Sequence, residues 1–379
     1  MKICIIVPHF APYVGGGEKL FLDIAKGLRE RDHEVRVVTS AVSGLCGYHC
    51  YEGIDVWYCE WKSFCGHPLV VAKDLQEHVK WADLVHTTLF TTAPQARRMA
   101  RKFEKPCVLT VYEVLGNKWF WFVDSKVMAF MFRVYEYLLC RQKFSAYHMI
   151  SDATRRDYEK YIGERDSMVR IYCSVKPLKI DEIQKETIEI HDYFNLKKNE
   201  TSFLYFGRPA PNKGIFVLEK AIEILNQKKE IPDDVKFCLL LAKEPADKRK
   251  KLLDAIEQKQ LGKYISIKES VSRNELNKLI VDADYVVIPS IAEGFGFSAV
   301  EACDLGKSVI YSNGGSLPEV VFGNCLEFEN RSAMDLAQKL LSVIQFGDSA
   351  FSVIPPKTFE ESRMLEELIA LYDKCLETR

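Results

Sequence analysis

No apolar run in the sequence approaches the ~20 residues needed to cross a bilayer, which excludes a chain built from membrane-spanning helices. Net charge is nearly absent as well. The 52 Lys and Arg are balanced by 53 Asp and Glu, so no strong overall field points to nucleic acid. There is no internal repeat and no low-complexity tract, which sets aside solenoids and fibrous chains. The fingerprint Gly-x-Gly-x-x-Gly is missing after the first apolar segment, where the chain reads Gly15-Gly16-Gly17, and this weakens a dinucleotide-binding reading. A second Cys-x2–4-Cys pair, which zinc modules show in both halves, is lacking too. Cys46, Cys50, Cys59 and Cys65 crowd one stretch with His49 and His67 at spacings that do not fit, so the stretch reads as an irregular loop with reduced thiols. Met1–Pro8 is short for a signal peptide and no small-residue cleavage site follows, so it reads as a buried first strand. Twelve cysteines without an export signal lead to the expectation of reduced thiols and a cytoplasmic location.

What is present is an ordinary globular composition, 47% hydrophobic and 28% charged over 379 residues. That length suggests two domains at about 150 residues each. The small net charge hides an asymmetry: residues 1–180 carry 26 Lys and Arg against 20 Asp and Glu, the remainder 26 against 33. A basic N-terminal half suits an anionic partner such as a phosphorylated substrate or a lipid surface.

Short β-rich runs alternate with amphipathic helical patterns almost throughout, the signature of βαβ units and parallel sheets. Strands are expected at residues 3–7, 35–39, 84–86, 107–111, 146–150 and 168–172, and the first helix carries Leu20, Phe21, Ile24, Ala25 and Leu28 on one face. Residues 179–200 are dense in charge and read as a link. A second series follows, with strands at 203–207, 236–241, 265–267, 285–288, 308–311 and 325–328, and a final helix spans 358–376. The expected fold is α/β, with two doubly wound Rossmann-like domains facing an interdomain cleft that binds ligand at the carboxyl ends of both sheets. The expected divisions are 1–180, 200–355 and a terminal helix within 356–379.

Two segments carry chemistry. Ser290 to Ala302 leaves a strand and opens a helix. Gly294 and Gly296, bracketing Phe295, let the backbone approach a ligand, and the helix start offers N–H groups to an anion. Glu293 sits in the turn and Glu301 in the second helical turn, so both carboxylates can face one site and accept hydrogen bonds from sugar or ribose hydroxyls. The second segment, Gly207-Arg208-Pro209-Ala210-Pro211-Asn212-Lys213-Gly214, follows the first strand of its series. Arg208 can bind phosphate through two parallel hydrogen bonds and Lys213 supplies a point charge.

Gly-Arg…Lys-Gly followed some eighty residues later by Glu293-x7-Glu301 resembles the family 4 retaining glycosyltransferases of GT-B fold. The resemblance extends to Gly15-Gly16-Gly17-Glu18, to Asp304-Leu305-Gly306 and to Gly314-Gly315-Ser316-Leu317-Pro318-Glu319, in the same order along the chain. It implies an enzyme moving a sugar from a UDP- or GDP-linked donor to a sugar or lipid-linked glycan acceptor, with retention and without a metal or other cofactor. It implies that Arg208 and Lys213 hold the donor diphosphate, that Glu293 with the backbone around Gly294 to Phe297 holds the donor sugar, and that Glu301 binds the ribose. Gly16 and Gly17 would let the N-terminal loop approach the phosphates, and the last helix would cross back to the first domain. Where the family commonly has a His after a Thr-Val strand, this chain has Tyr112, followed by Glu113; with His86 these are the acceptor-side candidates, His86 reading equally as a core histidine with its hydrogen bonds satisfied. The family's Asn-Gly after a later strand is replaced by Cys173-Ser174. Alternative readings are a catalytically silent nucleotide-sugar binder and an NAD(P)-dependent oxidoreductase.

Asp282-Ala283-Asp284 matches the Asp-x-Asp of metal-dependent glycosyltransferases of another fold, but falls between a helical pattern and a strand, where a structural role is expected. Residues 117–147 hold ten aromatics, with five basic against two acidic residues, and Arg97, Arg98, Arg101, Lys102 and Lys105 lie just upstream. Two readings stand: a buried aromatic helix pair with a solvated basic face, or contact of residues 91–147 with an anionic membrane. No nucleic-acid partner is expected.

Overall fold

The apolar runs form two main sheets, one in each of two compact units: Met1–Lys176 with Phe359–Arg379, and Pro177–Thr358. The computed structural model describes every residue except 14, 43, 65, 66, 166, 177, 179, 184 and 379.

The first unit holds β1 (Lys2–Ile6), β2 (Glu34–Ser40), β3 (Gly47–Tyr51), β4 (Ile54–Cys59), β5 (Leu84–Thr88), β6 (Cys107–Val111), β7 (Ala146–Met149) and β8 (Met168–Arg170) in the order β8-β7-β6-β5-β1-β2-β4-β3. All neighbours are parallel except β3 and β4. β5 and β6 are buried at every position, because a parallel sheet is covered by helices on both faces. The stretch expected as an irregular loop around Cys46 to Cys59 is instead the β3–β4 hairpin. Ile54, Val56 and Tyr58 alternate inward, a period-2 pattern that the crowded Cys and His residues obscured.

α1 (Gly16–Arg29) buries the expected stripe of Leu20, Phe21, Ile24, Ala25 and Leu28, and Gly16 and Gly17 lie inside its first turn rather than before it. The C-terminal helix, spanning Glu361–Glu377, packs on α1 and completes the first unit.

The second unit holds β9 (Thr201–Gly207), β10 (Val235–Leu241), β11 (Ile265–Glu269), β12 (Tyr285–Ile288), β13 (Ser308–Ser312), β14 (Gly323–Phe328) and β15 (Ser352–Ile354) in the order β11-β10-β9-β12-β13-β14-β15. Only β15 runs antiparallel to its neighbour. The charge-dense segment 179–200 is more than a link. Ile190 and Phe194, four residues apart on one helical turn, are buried, and the Tyr193 hydroxyl donates to the Glu269 carbonyl at 3.1 Å, fastening the turn to β11.

A chain of neutral side chains runs through the first unit. The Ile171 carbonyl can only accept, so His148 Nε2 carries a proton toward it (2.9 Å). His148 Nδ1 then accepts from Thr110 Oγ1 (3.0 Å), Thr110 Oγ1 accepts from His86 Nε2 (2.7 Å), and His86 Nδ1 accepts from the Tyr372 hydroxyl (2.6 Å). Burial pushes His148 down to about 4 and holds His86 well below the ordinary imidazole value. Below pH ~6.5 the unfolded chain therefore binds protons that the folded chain refuses, until pH falls to about 4. Stability present above this window is lost as pH falls through it, by up to about 1.4 kcal/mol per pH unit for each histidine. Denaturation midpoints measured above and within the window should drop accordingly; a midpoint that stays constant would mean the folded protein carries a charged imidazole here.

Candidate functional site

β9 and β12 are neighbours although the chain visits β10 and β11 between them, so their carboxyl ends flank the point where strand order reverses, where open α/β sheets bind ligands. Both chemistry-bearing segments leave from these two strand ends. After β9 the chain makes one tight helical turn at Pro211–Lys213 and enters α2 (Ile215–Gln227). Gly214 has φ +70°, and a Cβ there would lie 1.7 Å from the Pro289 carbonyl oxygen, so only glycine lets this turn rest against the end of β12. The Asn212 carbonyl accepts from Ile291 N (2.8 Å) and Ala292 N (3.3 Å), stitching the two segments together.

That stitching brings Lys213 Nζ to 2.5 Å from Glu293 Oε1, which also accepts from Ser290 Oγ at 3.0 Å. Arg208 is exposed beside this pair, and its carbonyl accepts from the Tyr205 hydroxyl at 3.2 Å. Burial, with the Glu293 carboxylate nearby, pushes the Tyr205 phenol up, while Arg208 opposes that shift. Tyr205 is thus a neutral phenol within electrostatic reach of both charges.

A third loop braces Glu293 from behind. Gly315, at φ +59°, passes so close that a Cβ would lie 2.3 Å from the Glu293 carbonyl oxygen. Ser316 donates to that oxygen from its N (3.1 Å) and its Oγ (3.2 Å), and Asn330 Nδ2 donates to the Ile291 carbonyl at 2.9 Å.

α3 (Arg273–Asp282) precedes β12, and α4 (Phe297–Asp304) starts on Gly296, itself at φ +95°. Phe295 is buried, with its ring 5.0 Å from that of Phe297. Glu301 is buried and ion-paired with Arg273 at the head of α3. Arg208, Lys213, Glu293, Gly294, Phe295, Gly296, Phe297 and Glu301 thus all lie on the loops and helix leaving β9 and β12. Arg273, Asn330 and Tyr205 are neighbours of these residues that sequence reading missed, while Ser290 and Ser316, though inside the segments read, were given no role. The capping box Ser272–Glu275 marks where α3 begins, but nothing local pairs Arg273 with a carboxylate 28 residues on. Chemically, a cation that can exchange its carboxylate for a phosphate frees that carboxylate to accept hydroxyl hydrogen bonds.

Gly16, Gly17, Tyr112 and Glu113 belong to the first unit. The Tyr112 hydroxyl donates to the Gly17 carbonyl at 3.2 Å, and burial pushes the phenol well above its ordinary value, so it is a neutral donor and not a base at neutral pH. Glu113 is half-buried at the end of β6. Of the two readings of His86, the acceptor-side one is corrected in favour of the core histidine: it is fully buried, and both ring nitrogens are engaged by Thr110 and Tyr372, leaving neither for an incoming hydroxyl. Asp284 Oδ2 accepts from Ser202 N and Oγ, both at 2.8 Å, and Asp282 pairs with Lys278, so the Asp-x-Asp carboxylates brace β9 and a helix end.

Two Rossmann-like units, the second with these loops at its strand ends and the first including the C-terminal helix, have the architecture of GT-B glycosyltransferases. Among solved structures, sucrose-phosphate synthase from Thermosynechococcus elongatus superposes with a TM-score of 0.76 at 17% identity, covering 100% of both chains. An Anabaena protein, HepE in complex with UDP, superposes with a TM-score of 0.68 at 19% identity, covering 100% of this chain and 99% of its own. The profile for "Glycosyl transferases group 1" matches residues 186–350, and that for "Glycosyltransferase Family 4" matches residues 14–177. The GDP-mannose:cellobiosyl-diphosphopolyprenol alpha-mannosyltransferase of Xanthomonas campestris is 23% identical over 83% of this chain and 79% of its own. The chain belongs to the family 4 glycosyltransferases.

Proposed function

We propose that the protein takes a sugar from a UDP- or GDP-linked donor and delivers it, with retention and without a metal, to a hydroxyl of a sugar or lipid-linked glycan during polysaccharide or glycolipid synthesis. The observation that carries this reading is the Lys213–Glu293 pair beside Arg208 at the reversal of strand order. Such an arrangement suits a diphosphate and a polyol bound side by side. Two relatives are consistent with it: the Xanthomonas enzyme is named for GDP-mannose and a diphosphopolyprenol acceptor, and the Anabaena protein was solved with UDP.

In this reading Arg208 and Lys213 hold the diphosphate and stabilise the charge that builds on it as the glycosidic bond breaks. Glu293, released from Lys213, and the backbone from Gly294 to Phe297 hold the sugar hydroxyls. The acceptor oxygen bonds to the anomeric carbon on the face the diphosphate leaves, and its proton passes to the departing diphosphate. Gly16 and Gly17 are assigned to donor binding, and Tyr112 and Glu113 to acceptor binding. The protein works at the cytoplasmic face, with residues 91–147 meeting anionic lipid. Among the described residues no helix is long and apolar enough to cross a membrane.

A melting-temperature panel of UDP, GDP, ADP, NAD and common sugar conjugates tests the donor, since a ligand that binds only the folded state raises the midpoint. One uridine or guanosine diphosphate and its sugar should shift it; a shift with NAD alone would overturn the reading. Glu301→Ala should weaken nucleotide binding about tenfold or more, the effect of a lost charge-assisted hydrogen bond. Its partner Arg273 is half exposed and can be hydrated instead, so the fold should survive. Nucleotide affinity unchanged in this variant would remove Glu301 from the ribose.

A further inference from the structure

Beyond the donor loops, the least expected surface lies on the first unit. The short helix Trp119–Phe122 leads into the long helix Lys126–Cys140. The long helix buries Ala129, Glu136, Leu139 and Cys140 against the unit. Its opposite face is apolar and exposed: Val127, Met131, Val134 and Leu138, at helical spacing, with Phe130 beside them, and Val127 and Met131 are 70% and 62% exposed. A helix apolar on its solvent side has no counterpart in an ordinary surface helix, and a contiguous patch of this kind marks an interaction site.

Cations frame it. Lys126, Arg141 and Lys143 are exposed at the two ends of the helix, and Arg98, Arg101 and Lys102 on the neighbouring helix Ala93–Lys102. Arg97 Nε donates to the Lys143 carbonyl at 2.7 Å, tying that helix to the end of the apolar one. Exposed Asp124 is the opposing carboxylate on the connecting turn.

Alongside the same helix opens a cavity of about 440 Å³, bordered by Lys118, Trp121, Arg133, Tyr137, Lys160 and Tyr161. Lys118 and Lys160 share the single carboxylate of Asp157, at 2.7 and 2.9 Å. Arg133 adds a further cation, and its buried Nε has no hydrogen-bond partner among the described residues. Three cations against one carboxylate in the lining, with an unsatisfied guanidinium N–H and the Glu136 carboxyl behind the wall already engaged by three donors, leave the cavity suited to an anion. Cavity and apolar face are one rigid piece, because fully buried Glu136 accepts from Leu115 N (2.9 Å), Gly116 N (2.7 Å) and the Tyr161 hydroxyl (3.0 Å).

We propose that this piece is a docking site for an anionic phospholipid leaflet: the outward face of the Lys126–Cys140 helix lies at the boundary of headgroups and acyl chains, and the cavity receives a lipid phosphate between Lys118, Arg133 and Lys160. Charge complementarity selects this occupant, since aromatic rings and aliphatic side chains framed by cations match the depth profile of an anionic interface. The inference rests on the lipid-linked acceptor proposed above. Vesicle binding is measured without any nucleotide-sugar, so its failure is distinguishable from a failure of transfer.

The test is flotation of the whole protein with vesicles of phosphatidylcholine alone and of phosphatidylcholine doped with phosphatidylglycerol. The unaltered protein should float with the doped vesicles at low salt and not with the neutral ones. Met131→Asp with Val134→Asp should abolish flotation; both side chains are exposed, so an unchanged melting temperature verifies the fold. Arg133→Gln, or Lys160→Gln should the former misfold, should weaken binding about fivefold, the effect of one cation near an anionic surface. Flotation that survives the double substitution would overturn the proposal. So would inorganic phosphate binding that depends on Arg133 without flotation, which would give the cavity to a soluble ligand. A dimer that the double substitution dissolves, with no vesicle binding in either form, would give the face to a second copy and likewise overturn it.

Discussion

Lys213→Ala should lower turnover by about 100-fold or more, the cost of removing a preorganised charge that stabilises a leaving group. The donor KM should change less than kcat, because the negative charge that Lys213 meets is largest in the transition state. Lys213 is well placed for this. Its ammonium is held 2.5 Å from Glu293, and the loop carrying it is fastened to the end of β12 through the Asn212 carbonyl. Glu293 keeps Ser290 as a partner in the variant, so a modest loss of stability is expected beside the large kinetic one. Steady-state kinetics with the donor found by the melting panel decide the matter. A kcat within about threefold of the unaltered enzyme would take Lys213 out of leaving-group stabilisation.

Gly214→Ala should be the most damaging single-methyl change in the second unit. The left-handed backbone costs a non-glycine residue about 1–2 kcal/mol, and here the added carbon would also collide with the Pro289 carbonyl. The turn must move away, breaking the Asn212 bonds to Ile291 and Ala292 at about 1 kcal/mol each. A total of roughly 3–4 kcal/mol is expected, and turnover should fall too because Lys213 travels with the turn. Gly306→Ala is the control. Gly306 has the same φ of +70° but nothing within 4 Å of the added carbon, so only the backbone cost applies. Denaturation curves and kcat should separate the two variants; equal losses in both would mean that the contact with Pro289 is unimportant.

Much of the donor-side arrangement was legible because it is local. Arg208 and Lys213 lie in one loop, Glu293 and Glu301 on one turn and helix, and both segments follow strands whose apolar runs announce them. The partners that aim these side chains were not legible. Arg273 reaches Glu301 from another helix, Ser316 and Gly315 reach Glu293 from the loop after β13, and Tyr205, in β9, feels the charges of both Glu293 and Arg208. His86 shows how a local reading fails. At the end of a buried strand it resembled an acceptor-side base, yet the residue that satisfies it, Tyr372, stands 286 positions later on the returning helix. The aromatic stretch 117–147 was conspicuous, but composition could not say which of its apolar residues face outward.

The sequence by itself determined the alternation of strands and helices, and the loops that carry the donor chemistry. Periodicity, glycine turns and charged residues at strand ends are properties of neighbouring residues. Only the tertiary structure decided that β9 and β12 lie side by side, that Lys213 meets Glu293, that His86 is sealed, and that the Lys126–Cys140 helix turns apolar side chains to solvent. The reason is physical: hydrogen-bonded partners, burial and close approach are set by residues far apart in the chain, whose meeting depends on strand order and helix packing.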